Sequence, residues 1–390
     1  MTQFGRQLRS LWNLEAEGTF LNHGSFGACP KDVLSEQSRW RGIMERQPDE
    51  FFRKLVSPRA MNNEVRVAAE RLGRFVGTEG ERIAFVTNAT EGVNTVLRSI
   101  AFKPGDEILV LDCVYNAVRL AVEQVCRTTG AKLVKVDLPI PLTANDVVER
   151  IADAAGARTR LAIIDHIASA TAVVFPVAEI ARALKAKGVR VLIDGAHGVG
   201  QLALDLPEIG ADWYTANAHK WLYAPKGAAF LYATEEVAGE TVPLSVSHWH
   251  DLKFPRAFDY VGTRDVSSFL SVPAAIDFLE RFEAAAVRKH LVELSRAGAS
   301  IVRALGAEPI APDAMSAAMR AYALPQRRAA EPDDALHLMK TMWEEHRVQV
   351  ASSVFQGKLL LRLSAQVYVE RGDYEHLTRV LETSGWPARN

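Results

Sequence analysis

Short apolar runs alternate with amphipathic stretches through the first two thirds of the chain. Residues 83–86, 107–111, 132–136, 160–165, 191–193, 213–215 and 229–232 read as strands buried on both faces. Between them, helical spacing starts at Thr87–Gly92 and runs on through Leu97 and Ile100, then recurs at 118–129, 144–155 and 177–187, with Gly188 as a stop. Strand and helix in this alternation predict an α/β fold around a mainly parallel sheet. Upstream, residues 5–17 read as a short helix, 19–21 as extended chain, and 31–47 and 61–76 as helices. Downstream, 272–304 reads as one long helix and 309–315 and 325–334 as turns. Helices at 335–346 and 373–384 and strands at 348–352 and 359–364 complete a smaller α+β part. The expected division is an N-terminal segment 1–20, a large domain 21–270 and a small domain 271–390.

Chemistry concentrates at 191–223, where Val191-Leu192-Ile193 ends in Asp194 and a second strand leads to Asn217-Ala218-His219-Lys220-Trp221. A lysine just after a strand and flanked by aromatics is placed to lose its proton by desolvation and act as an amine nucleophile. Asp194, about one crossover upstream, can hold a ring nitrogen protonated. A Schiff-base lysine with an acid that pairs a pyridinium is what pyridoxal 5′-phosphate chemistry requires. Thr87–Gly92, opening a helix after a strand, offers backbone N–H groups to a phosphate. Arg362 interrupts the apolar run LLLRLSA; a charge there must pair internally or face a cavity that takes an anion.

Bulk composition narrows the classes. With 46 Lys and Arg against 47 Asp and Glu, the chain has no charge bias toward a polyanion or membrane surface, so neither nucleic acid nor membrane is expected as partner. Residues 1–12 lack the apolar core of a signal peptide, and no run is long enough to span a bilayer. Cys29, Cys113 and Cys126 are too few and scattered for a disulfide framework or zinc site, and the cytoplasm is the expected compartment. His248 and His250 alternate next to Asp251 but lack a third ligand cluster, so no metal is expected.

Six motifs together resemble the class V aminotransferase family, and more closely its isopenicillin N epimerase-like branch. They are LNHGSFG at 21–27, TNATEGVN at 87–94, DGAHGVG at 194–200, AHKWL at 218–222, GTRD at 262–265 and LRLSAQVY at 361–368. Their order and spread cover nearly the whole chain. The resemblance implies the fold type I architecture of pyridoxal-phosphate enzymes, with Lys220 as Schiff-base lysine and Asp194 on the pyridine nitrogen. It places Tyr115 over the cofactor ring, and His197 and Ser169 near its phenolic oxygen. Ala89, Thr90, Asn217 and His219 surround its phosphate, Asn217 standing where relatives carry serine. Gly262 and Thr263 would reach the phosphate of a neighbouring subunit, making a homodimer. Asn22, His23, Gly24 and Ser25 form a loop on the substrate side, which read alone is a turn, and Arg362 would hold the substrate's α-carboxylate. His166 contacts the cofactor or bridges strand ends.

The implied reaction starts with removal of the Cα proton of an amino-acid-type substrate by Lys220. Epimerisation is the leading expectation and needs a second base, for which Tyr115, His23 and His248 are candidates. C–S lyase and aminotransferase activities are the alternatives, and a non-catalytic cofactor-binding protein is the remaining class. A persulfide-forming desulfurase needs a thiol in the C-terminal half, and no cysteine follows Cys126.

Overall fold

A computed structural model describes residues 4–140 and 142–384; the first three residues of the N-terminal segment lie outside the described residues. Thirteen strands follow in chain order: β1 Thr19–Phe20, β2 Ile83–Val86, β3 Glu107–Leu111, β4 Lys132–Val136, β5 Thr159–Asp165, β6 Arg190–Asp194, β7 Trp213–Ala216, β8 Ala229–Ala233, β9 Glu308–Pro309, β10 Met319–Ala323, β11 Val348–Gln349, β12 Ala351–Phe355 and β13 Lys358–Ser364. Seven of them form a sheet in the order β2-β8-β7-β6-β5-β3-β4. The run β4-β3-β5-β6-β7 is parallel, and β8 alone runs against its two neighbours. Pleating explains why these strands are apolar throughout. Val191 and Ile193 enter the core on one face while Leu192 enters the core on the other, and Ala162/Ile164 and Leu161/Ile163 divide likewise.

The second sheet, β12-β13-β10-β9, is antiparallel. Helices Ala284–Arg303 and Arg371–Thr383 pack on one another, and Pro332–His346 packs on β12. Strand β10 has no counterpart in the sequence reading. Its sequence, MRAYA, carries two alanines and Arg320, which is buried and salt-bridged to Asp313 at 2.6 Å. Tertiary pairing with β13 overrides that weak local preference. The long helix expected over 272–304 is two, Val272–Glu280 and Ala284–Arg303, broken where Glu283 takes φ +56°. The first still packs on the helices of the larger layer. The short helix expected near the N-terminus is a single 3-10 stretch, Arg6–Leu11.

β1 pairs in parallel with β11, Thr19 opposite Val348. Leu21 N–H donates to Gln349 O at 3.0 Å, and Ser364 N–H donates to Leu21 O at 2.8 Å. These bonds carry residues 22–27 onto β13, where Arg362 lies. No helix among the described residues is long and apolar enough to cross a membrane.

Candidate active site

The carboxyl ends of β2, β3, β5, β6 and β7 share one edge of the large sheet, where open α/β sheets bind ligands. There they line a cavity of about 380 Å³ that includes Thr90, Tyr115, Asp194, His197, Asn217 and Lys220. A second cavity, of about 430 Å³, continues from it between residues 112–116 and β12; Ser25, Ser169, Arg362 and Lys220 border it.

Lys220 is partly buried, its side chain opening into both cavities. Desolvation, aided by the nearby Arg362 charge and opposed by Asp194, lowers its amine to about 8. Its Nζ lies 3.3 Å from His197 Nε2. The backbone around it is clamped. Gly27 takes φ +69°, and a Cβ there would stand 2.2 Å from His219 O, so only glycine lets this loop lie against the lysine. His23 Nε2–H donates to the Lys220 carbonyl at 3.0 Å, while its Nδ1 accepts from the Tyr368 hydroxyl at 2.7 Å. Both ring nitrogens of His23 are therefore used, and the ring is fully buried. This corrects the expectation that His23 faces substrate: it braces the Lys220 backbone. Gly24 is also buried, its N–H donating to Ser364 Oγ at 3.0 Å, and it packs rather than lines the cavity.

Asn22 and Ser25 do reach the site, through Arg362. Arg362 Nη2 donates to Ser25 Oγ at 2.7 Å and Asn22 Oδ1 at 3.3 Å. Its Nη1 donates to Ser169 O at 2.5 Å and Ser169 Oγ at 3.2 Å. The hydroxyl expected near a cofactor oxygen is thus occupied in orienting the arginine. Among the described residues the partners of Arg362 are neutral, with no carboxylate, and burial lowers the guanidinium to about 10. Neutral acceptors set its direction and leave its charge unbalanced, which removes the internal salt bridge as its explanation.

The helix Ala89–Ser99 presents its N-terminus to the same cavity. Asn88 Oδ1 caps it by accepting from Glu91 N–H at 2.8 Å. Gly92 lets it lie on β7, because a Cβ there would meet Thr215 Oγ1 at 2.1 Å. The Ala89 N–H, expected on a phosphate, donates instead to Asn217 Oδ1 at 2.8 Å. Thr90 keeps a first-turn N–H with no intrahelical acceptor, together with its hydroxyl. His219 Nδ1–H donates to Ala228 O at 2.9 Å, and burial lowers the ring to about 4, so it is neutral with Nε2 as an acceptor.

Asp194 has a neighbour that sequence reasoning passed over. Asp165 ends β5 as Asp194 ends β6, and the two are paired in register. Burial raises both carboxyls, and the charge of Asp194 raises Asp165 well above the usual range. Asp165 Oδ2 is buried without a hydrogen-bond partner. Two adjacent buried carboxyls do not both ionise, so Asp165 is the neutral member. An acid closing an apolar strand, the same signal that marked Asp194, would have found it. Asp165→Asn is expected to melt at least roughly 2 °C higher than the wild-type apoprotein at pH 7.5, with the gap closing toward pH 4. The folded chain keeps this proton while the unfolded chain gives it up above about pH 4, so wild-type stability falls as pH rises and the amide escapes that loss. Thermal melts across that range check it; a lower melting temperature at pH 7.5 would mean an ionised, required carboxylate.

Tyr115, half-exposed, caps the helix Asn116–Thr129 and borders both cavities. His166 bridges strand ends, with Nδ1 at 2.9 Å from the Tyr214 hydroxyl and its backbone N–H on Asp194 O at 2.8 Å. His248 stacks on Tyr260 with ring centres 6.4 Å apart and borders neither cavity. Gly262 and the exposed Thr263 lie on a turn that reaches neither cavity of their own chain.

These residues fit pyridoxal phosphate. A buried acid can face a ring nitrogen, an amine lowered to about 8 can face an aldehyde, and a helix N-terminus can face a phosphate. The description "Aminotransferase class-V" belongs to the family model that matches residues 56–350. A putative L-cysteine desulfhydrase of Oryza sativa subsp. japonica is 33% identical, over 93% of this chain and 82% of its own. An isopenicillin N epimerase of Amycolatopsis lactamdurans is also 33% identical, over 95% and 96%. Among solved structures, the cystine C–S lyase C-DES in complex with cysteine persulfide superposes with a TM-score of 0.79 at 22% identity, covering 94% of this chain and 97% of that one. A cysteine desulfurase of Escherichia coli gives 0.77 at 18% identity, covering 97% of each. The fold is that of type I pyridoxal-phosphate enzymes, and the chain belongs to the class V aminotransferase family as a pyridoxal-phosphate enzyme of the epimerase or C–S lyase type.

Proposed function

We propose that this chain is a C–S lyase acting on cysteine or a cysteine thioether. The observation that carries this choice over epimerisation is the placement of two of the three candidate second bases. His23 has both ring nitrogens engaged behind Lys220, and His248 borders neither cavity. One base, Lys220, suffices for elimination.

Pyridoxal phosphate, when bound, supplies an aldehyde that condenses with amines and a ring that accepts the electrons released at Cα. The protein's part is positioning and proton transfer. Arg362, aimed by Asn22, Ser25 and Ser169, receives the substrate carboxylate through its fork. Asp194 would offer its carboxylate to the ring nitrogen, and Thr90 and Asn217 would donate to the phosphate. Tyr115, which lines both cavities, would offer its flat face to the ring and limit water there. Lys220 Nζ takes the Cα proton; the Cβ–S bond breaks with its electron pair leaving on sulfur. With water, the net products are a thiol, pyruvate and ammonium. The turn at Gly262 and Thr263 serves the phosphate of a second subunit, and the active form is a homodimer. All three cysteines are unpaired, in keeping with a reducing compartment such as the cytoplasm.

A second reading, epimerisation with Tyr115 as the opposing base, draws on the half-exposed position of Tyr115 at the junction of both cavities. Proton NMR in D2O separates the two, using cysteine, its S-conjugates and peptides bearing an α-aminoadipyl group. Release of thiol and pyruvate is the expected result. Deuterium at Cα with an intact side chain and appearance of the enantiomer, lost in Tyr115→Phe, would replace the lyase with an epimerase.

A further inference from the structure

We propose that Trp221 is a positioning residue whose indole N–H sets the tautomer of His197, so that His197 donates a hydrogen bond to Lys220 and holds its amine neutral. The inference rests on Lys220 being the reactive amine. Trp221 Nε1 lies 3.3 Å from His197 Nδ1, and His197 Nε2 lies 3.3 Å from Lys220 Nζ. Both rings are buried, at 2% and 1% exposure. An indole nitrogen only donates, so Nδ1 must accept. Burial, aided by the Arg362 charge, keeps the imidazole from taking a second proton. The single ring proton therefore sits on Nε2 and points at Lys220. A neutral amine can accept it, whereas an ammonium cannot. Tryptophan is held in place by its neighbours: its ring packs 5.2 Å from that of His23, whose Nε2–H is on the Lys220 carbonyl.

Removing the indole donor frees Nδ1 to carry the proton. Nε2 then becomes an acceptor for the lysine ammonium, and the direction of the bond reverses. Trp221 thus governs the charge of Lys220 through one intervening ring, a role separate from filling the core.

The test uses the full-length apoprotein, without substrate. Pyridoxal phosphate is added across pH, the product is trapped with borohydride, and the modified residue is located by mass spectrometry. In the wild type, capture at Lys220 rises with pH through a midpoint, and Trp221→Phe is expected to move that midpoint up by about one unit. Nitrogen-15 NMR of histidine-labelled protein should show His197 switching from the Nε2–H to the Nδ1–H form. In a His197→Asn background, Trp221→Phe should not move the midpoint further. If the phenylalanine variant fails to fold, β-(3-benzothienyl)alanine at position 221 keeps the shape and removes only the N–H. An unchanged midpoint and tautomer in a folded variant would overturn the inference. Capture at a residue other than Lys220 in the wild type would instead overturn the functional reading itself.

Discussion

Lys220→Ala is expected to lower kcat/KM by at least about 10⁴-fold, since a positioned base alone contributes up to roughly that factor and the covalent route to the cofactor is lost with it. The same substitution should abolish borohydride-trappable attachment of the cofactor while leaving the fold intact, because the lysine side chain ends in a cavity rather than in packing. In the wild type, attachment should rise with pH through about 8, the value to which burial brings this amine, and not through the higher range of an exposed lysine. Mass spectrometry after reduction and a pH series of cofactor uptake check both statements. An alanine variant that still turned over after borohydride treatment would remove Lys220 from the chemistry and leave the cavity without a nucleophile.

The second large effect is expected at Arg362. Replacement by alanine should cost roughly 10²-fold in kcat/KM, on the order of 3 kcal/mol, mostly as raised KM. Lysine should rescue little, because four acceptors from three residues on two different loops are arranged for a planar fork. A carboxamide substrate supplies the control. If Arg362 binds the α-carboxylate, the amide is a poor substrate of the wild type, and Arg362→Ala does not make it poorer. Equal losses on acid and amide would mean that Arg362 acts through the loop it binds, as a structural tie between Ser25 and Ser169.

Much of this site was legible because its chemistry depends on residue types at strand ends. Lys220, Asp194 and the helix start after Asn88 each follow an apolar run, and the parallel sheet brings those ends together without any further information. The individual contacts were harder to read. His23 sits in a glycine-rich loop with polar side chains, a setting shared by substrate loops and turns. Only the burial of its ring between Tyr368 and the Lys220 carbonyl distinguishes the two. The Ala89 N–H is taken by Asn217 Oδ1, 128 positions away, and no local pattern encodes that bond. Asp165 carried the same mark as Asp194 but lacked a motif to draw attention to it. Strand β10 was missed since two alanines and an arginine carry no strand signal until β13 pairs with them. Elements that depend on local periodicity were readable, and partners chosen across the chain were not.

The contact between residues 22–25 and β13 has a consequence for how the enzyme comes into being. Gly24 and Ser364 meet 340 positions apart. At about 5–20 residues per second, a ribosome takes on the order of half a minute to make the second after the first. Once β8 has been made the large sheet can form with Asp194 and Lys220 at its strand ends, while Arg362 does not yet exist and the loop that will aim it has nothing to grip. The nascent chain therefore completes the sheet that carries Asp194 and Lys220 well before the strand that carries Arg362. A ribosome stalled before β13 holds the lysine and the acid at their strand ends without the buried guanidinium that shares a cavity wall with that lysine and without the tyrosine that fixes His23.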